Sequence, residues 1–201
     1  MRREFIGSII SNQPAFGLDL SSEIIDCLAE YYQIVQKHNS LLHLVGPCSP
    51  EEFAIRHVLE SLLLLQHLEQ NASFVDVGTG AGLPSIPCLI ARSDLSATLI
   101  ENKIKKTAYL DEALTGLGLS RRATVVNKQF EEVTQKNFTV VTCRALDKFS
   151  AKLPRLLKWS AKRKMVFFGG PALREALKEQ NVKFEERLIP LSEQRLIFSV
   201  S

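Results

Sequence analysis

The chain has 201 residues, 45% of them hydrophobic, and a formal net charge of +3, which supports one sizeable core and excludes a disordered protein. A charge so modest does not by itself diagnose a nucleic-acid partner, so local clustering has to carry that argument. Cys27, Cys48, Cys88 and Cys143 form no Cys-x-x-Cys pair and have no histidines at zinc-finger spacing; they read as reduced, mostly buried thiols of a cytoplasmic protein, with no metal expected.

At the N-terminus Met1-Arg2-Arg3 followed by Phe5, Ile6, Ile9 and Ile10 imitates a signal peptide, but Gly7, Ser8 and Asn12-Gln13-Pro14 interrupt it, so no export is implied. Ser21 and Ser22 offer caps for a helix whose apolar residues Ile24, Ile25, Leu28, Tyr31, Tyr32 and Val35 recur at three and four, giving one buried stripe. Ser49-Pro50-Glu51-Glu52 is a capping box with proline at the first helical position, starting a helix that runs to about Leu68. Within it Arg56 and Glu60, and His57 and Ser61, stand four apart. From spacing alone, surface pairing worth about 0.2 to 0.5 kcal/mol accounts for them. The most apolar run, residues 62–65, is far shorter than the roughly 20 residues needed to cross a bilayer, and no membrane partner is expected. Residues 1–70 thus read as an N-terminal helical extension packed on the core.

Residues 74–83 organise the rest of the chain: a short apolar strand runs into a loop with Gly78, Gly80 and Gly82 at alternate positions. Such a loop lets a small ligand approach the main chain, and Pro84, expected in a first helical turn, would set a helix N-terminus beside it. A carboxylate or a ribose suits that geometry. The dinucleotide pattern Gly-x-Gly-x-x-Gly fails, because it needs glycine where Leu83 stands. A second apolar strand, 97–100, ends at Glu101, where an acid about 20 residues beyond the glycines can accept from ribose hydroxyls.

The alternation continues with helix 83–91, helix 103–116, strands 123–126 and 138–142, helix 153–161, strand 165–168 and a last strand, Leu196–Val200, paired antiparallel at the end of the sheet. Alternation of this kind implies an α/β fold, a mostly parallel sheet with helices on both faces and ligands outside the carboxyl ends of the strands.

Asp76-x-Gly78-x-Gly80-x-Gly82 resembles the first motif of the Rossmann-like class I AdoMet-dependent methyltransferases, which would make 71–201 the methyltransferase domain. Further landmarks are similar to the RsmG/GidB family, the guanine-N7 methyltransferases of 16S small-subunit ribosomal RNA. Arg56-His57-Val58-Leu59-Glu60-Ser61 matches the family's Arg-His-x-x-Asp-Ser with Glu for Asp, and Gly82-Leu83-Pro84-x-Ile86-Pro87 continues the glycine motif as few other methyltransferases do. Glu101 with Lys105-Lys106 and Leu110, the pair Glu131-Glu132, and Cys143-Arg144-Ala145 come next in order. The resemblance implies S-adenosyl-L-methionine (AdoMet) as cofactor, held by Gly78, Gly80, Gly82, Leu83, Glu101, Phe130, Glu131 and Arg144. It also brings Arg56 and His57 to the pocket mouth as substrate contacts, and implies a monomer acting on 16S rRNA or the small subunit. The chain departs from the family in His43-Leu44-Val45 for Asn-Leu-Thr, in a missing Trp before it, and in Gly169-Gly170-Pro171 for the Lys-Gly that ends the fifth strand.

Guanine N7 carries no proton, so positioning can supply much of the rate, and the sequence has neither the motif of exocyclic amino methylation nor that of the cytosine-C5 enzymes. Arg144, the candidate catalytic residue, has two readings: a contact to cofactor or guanine, or a structural ion pair. Cys143 reads as packing. From Arg144 to Lys164 there are many basic residues and only Asp147 is acidic; Lys148, Lys152, Arg155, Trp159 and Lys162 could form one helical face, either facing phosphates or merely solvated. Two other functions fit the same fold, a class I methyltransferase of a small molecule or protein and a catalytically silent RNA-binding relative.

Overall fold

A computed structural model of the chain describes residues 1–134, 137–144, 149–160 and 163–200. A seven-stranded sheet runs through it in the order β3-β2-β1-β4-β5-β7-β6. Its strands are β1 (Ser73–Val77), β2 (Ser96–Ile100), β3 (Ala123–Val126), β4 (Val140–Arg144), β5 (Lys164–Gly169), β6 (Phe184–Leu188) and β7 (Leu196–Val200). The first five are parallel, and β7 pairs antiparallel with both β5 and β6. Chain order reverses at β1, which has β2 on one side and β4 on the other, so a crevice opens beyond its carboxyl end.

Two apolar layers cover the sheet. On one face α1 (Arg2–Asn12), α2 (Ser22–Leu42) and a helical stretch over 50–67 pack with α4 (Ser85–Ala91) and α5 (Ile104–Gly116). On the other, α6 (Phe149–Ser160) and α7 (Pro171–Glu179) pack against Val75, Val141 and Phe167. The cluster on the first face runs from Phe5, Tyr31 and Phe53 through Phe74 and Leu89 to Leu110, so the N-terminal helices and the sheet share one buried layer.

The stretch over 50–67, termed α3, is not uniform. Its start is the capping box at Ser49, its middle, Phe53–Leu59, is a π-helix, and it closes in a 3₁₀ turn, Leu63–His67. Where a plain α-helix is expected, the π turn buries Phe53 and Ala54 together with Val58 and Leu59, five residues on. The expected Arg56–Glu60 pair does not form. Arg56 stays half-exposed near Glu52 at 3.5 Å, while Glu60 points inward.

Other differences have local causes. α1 forms where the sequence shows only a broken apolar run, because Phe5 and Ile9 stand one turn apart and Phe5 stacks on Tyr32 at 4.8 Å. β6 is an edge strand with nearly every side chain exposed, so it carries no alternating apolar signal. β4 begins two residues later than expected, Phe138 being buried beside Trp159 instead. Of the four cysteines only Cys88 and Cys143 are buried; Cys27 is exposed.

α6 corrects the basic-face expectation. The helix expected from 153 begins at Phe149, so Pro154 lies inside it, and Trp159 is 8% exposed, packed between Phe130 and Phe138 with its Nε1 donating to the Val133 carbonyl at 3.1 Å. Trp159 therefore shares no exposed face with Arg155. Lys148 and Lys162 lie outside the described residues. Trp159→Ala should cost about 3 to 5 kcal/mol, the range for emptying a buried aromatic site, read as a lowered urea midpoint at unchanged slope.

Candidate active site

The loop after β1 is pinned from below and behind. Asp76, fully buried, accepts at Oδ2 from the hydroxyls of Thr79 and Ser85, each at 2.7 Å. Among the described residues its Oδ1 has no hydrogen-bond partner. Burial pushes this carboxyl up to about 7, against the lowering pull of Thr79, Ser85 and Arg144. From behind, the hydroxyls of Tyr31 and Tyr109 both donate to the Ala81 carbonyl at 3.1 Å. The backbone N–H groups of Gly78 and Thr79 donate to the carbonyl of Ile100 at the end of β2.

The loop glycines divide their tasks. Gly80, at φ +57, stands where a side chain is disfavoured, and its N–H donates to Glu101 Oε2 at 3.2 Å. At Gly82, φ +90, a Cβ would lie 2.4 Å from Ile86 Cδ1, so this glycine lets α4 close against the loop. α4 starts at Ser85 with Pro84 as its N-cap, two residues beyond the expected start, and the Ser85 hydroxyl points down to Asp76. The start of this short helix is sealed beneath the loop and offers nothing to a ligand.

Above the loop lies a cavity of about 410 Å³. Gly78, Gly80, Leu83, Glu101, Phe130, Arg144 and His57 all reach its wall. Gly82 does not, nor do Glu131, Arg56 and Arg155: Arg155 pairs with Glu131 at 3.1 Å on the outside of α6, and Arg56 faces Glu52. Glu101, 7% exposed, is oriented by three groups. Its Oε2 takes the Gly80 N–H, its Oε1 the Lys103 N–H at 3.0 Å, and its own carbonyl the Asn127 side chain at 3.0 Å. A carboxylate oxygen accepts more than one hydrogen bond, so this acid retains capacity toward the cavity.

Arg144, at the end of β4, shows the ion-pair arrangement while also lining the cavity. Its guanidinium donates to Ser61 Oγ at 3.1 Å, to the Arg56 carbonyl, and to Glu60 Oε2 at 3.2 Å, with the Phe168 ring centroid 5.7 Å away. Glu60, its side chain 2% exposed, accepts at Oε1 from Arg195 at 2.6 Å. Burial raises the Glu60 carboxyl while Arg144 and Arg195 pull it down. His57 is driven to about 3, by burial first and then by Arg144, Arg56 and Arg195, so its imidazole is neutral at pH 7. No group of three His, Cys, Asp or Glu among the described residues is placed to hold a metal.

Sequence reasoning missed several wall residues. Leu44, Val45 and Gly46, the connection between α2 and α3, line the cavity, as do Lys103, Lys106, Lys128, Gln129 and Lys152. Leu44, Val45, Lys106 and Lys152 stand in stretches that the sequence singles out, but no local pattern puts them at the cavity, where the fold brings them together. Arg122 is spent on the carbonyls of Leu89, Arg92 and Leu95.

Strand order, a glycine loop after β1 and an acid ending β2 define a class I methyltransferase fold. Solved structures agree at the level of fold alone: the pyocyanin biosynthetic protein PhzM superposes with a TM-score of 0.62 at 15% identity, covering 85% of this chain and 61% of its own. Precorrin-6y C5,15-methyltransferase from Geobacter metallireducens superposes at 0.56 with 14% identity, covering 71% and 87%. The chain belongs to the GidB family, described as rRNA small subunit methyltransferase G, whose sequence model matches residues 24–192. Two relatives carry the name ribosomal RNA small subunit methyltransferase G. The one from Neisseria meningitidis serogroup A is 37% identical over 147 residues, 73% of this chain and 69% of the relative. The one from Actinobacillus pleuropneumoniae is 30% identical over 186 residues, 90% and 88%.

The buried charges set two measurable outcomes. Arg144→Ala should cost about 3 kcal/mol of stability, the low end for breaking a buried pair because Arg195 stays on Glu60; chemical denaturation measures it. Asp76 takes up its proton near 7 when folded and an ordinary aspartate near 3.8, so the native state binds more protons in that window and loses stability as pH rises through it. Asp76→Asn, neutral throughout, should gain on the parent between about pH 4 and about pH 8 by more than about 1 kcal/mol, one unit being about 1.4 kcal/mol. Urea titrations of both proteins at the two pH values check the sign.

Proposed function

We propose that this chain transfers the methyl group of AdoMet to N7 of a guanine in 16S ribosomal RNA. The observation that carries the reading is Glu101, held by the Gly80 and Lys103 N–H groups at the wall of a cavity whose floor is the glycine loop. Its carboxylate suits a ribose diol, and the exposed backbone at Gly78 and Gly80 suits close approach of the rest of the nucleoside and its amino-acid tail. Phe130, which also lines the cavity, suits contact with an adenine. The names of the relatives supply the RNA, and the resemblance of Gly82-Leu83-Pro84-x-Ile86-Pro87 to its family supplies guanine N7.

When bound, AdoMet supplies a sulfonium-activated methyl, which passes to the N7 lone pair while the C–S electron pair stays on sulfur. The acceptor has no proton to lose, so the residues of the wall need no strong base. His57 fits this: an imidazole kept neutral at pH 7 can accept or donate one hydrogen bond without adding charge beside a purine that becomes cationic. Arg144 sets the wall rather than moving protons, its guanidinium fixed by Glu60 and Ser61.

Tritium transfer from labelled AdoMet to purified unmodified small subunits, compared with a metabolite or protein extract, tests the reading. Label in 16S rRNA, mapped to guanine N7, is the expected result; label only in the extract, or none, would overturn it. Glu101→Gln should weaken AdoMet binding in calorimetry at least about tenfold, the low end for a hydrogen bond to a charged group, with thermal unfolding still cooperative.

A further inference from the structure

Beside the cavity mouth a second, shallower groove is lined by Leu41, Leu42, Asn102, Ile104 and the lysines 103, 105 and 106. Leu41, at the end of α2, is 81% exposed and Ile104, the first residue of α5, is 74% exposed. Large apolar side chains so open to water, next to one another and next to a functional cavity, are a marker of a contact surface. Around them the charge has one sign: Lys103, Lys105 and Lys106 line the groove, and Lys103 and Lys106 with Lys128 and Lys152 continue along the cavity. Among the described residues the paired lysines are elsewhere, Lys37 on Glu112 and Lys178 on Glu175. Of the nearby acids, Glu112 is occupied by Lys37 and His38, and Glu101 by two backbone N–H groups.

We propose that this groove, between Leu41, Ile104 and Lys103, Lys105 and Lys106, docks the single-stranded RNA flanking the target base. The inference rests on the RNA-methylating reading above and says where that RNA lies. Phosphates suit an ammonium row with no carboxylate among it, and the faces of unstacked bases suit exposed aliphatic side chains, a pairing that proteins use when they take a base out of its stack. A protein partner would match the apolar pair but would have to bring its own acids to the lysines. Continuity with the cavity favours the strand that delivers the base. The groove replaces α6 as the docking face, since Trp159 is buried and Arg155 is paired with Glu131.

The test uses unmodified 16S transcript and unmodified small subunits, with binding followed over a range of salt and methyl transfer followed in parallel. Lys105→Ala removes one charge from the groove and should flatten the log–log salt dependence by about 0.7, the value for one single-strand phosphate. Leu41→Ser with Ile104→Ser should weaken binding roughly fivefold or more at every salt concentration, the low end for a side chain packed on a base, without changing the slope. Both should bind AdoMet as the parent does. Parent-like RNA affinity and slope in both variants would overturn the docking surface and leave the RNA reading standing. Loss of transfer to assembled subunits with naked-RNA binding unchanged would assign the groove to a ribosomal protein, and so overturn it too. A parent that neither binds nor methylates 16S rRNA in either form would overturn the reading beneath it.

Discussion

Glu60 is the point at which distant parts of the chain are tied together. Its carboxylate is sequestered from water between Arg144, which ends β4, and Arg195, which precedes β7, while Glu60 itself leaves the π-helical turn of α3. Burying the ionised Glu60 and Arg144 beside a part-exposed Arg195 costs more than their attraction returns unless the remaining donors and acceptors are placed, so such a cluster tolerates little displacement. That intolerance is its structural value. One helix is locked to the carboxyl edge of the sheet in one position, and the cavity wall that His57 and Arg144 share is fixed along with it.

The same logic holds the floor of the cavity from the other side. The Ala81 carbonyl takes hydroxyls from Tyr31 on α2 and Tyr109 on α5, which satisfies both lone pairs of a buried acceptor. Below, Thr79 and Ser85 converge on one oxygen of Asp76. A loop with left-handed glycines is floppy in isolation, yet here it is held at successive points by groups drawn from α2, α4, α5, β1 and β2. The N-terminal helices are therefore part of the site: without Tyr31 the loop loses one of the groups that set its height above the sheet.

How far each feature was legible in the sequence depends on how local its signal is. The strand–loop–strand unit from Phe74 to Glu101, the capping box at Ser49 and the stripe of α2 depend on neighbours in the chain, and they stand where their patterns put them. Long-range pairing is what the sequence withheld. Arg56 and Glu60 have helical spacing, but Glu60 is claimed by guanidinium groups at positions 144 and 195, which no periodicity links to it. Trp159 sits among cations in sequence and among Phe130 and Phe138 in space, because an indole gains far more by burial than by lying over solvent. β6 was silent because an exposed edge strand needs no apolar alternation.

The distribution of charge about the cavity then separates two tasks. Inside, Glu60 offsets one of the two guanidinium charges of Arg144 and Arg195, and His57 stays neutral because burial and three guanidinium groups all oppose its proton. Outside, at Lys103 and Lys105, positive charge stands open to solvent. Burial depresses the ammonium of Lys106 between the two zones, with Glu101 pulling the other way and Lys103 adding to the depression. A transfer in which positive charge leaves a sulfonium and appears on a purine changes no net charge at the reacting centre, whereas a polyanion must first be attracted and held. The exposed lysines stand at the rim, free to attract such a polyanion, while the guanidinium in the wall is held by Ser61, Glu60 and the Arg56 carbonyl.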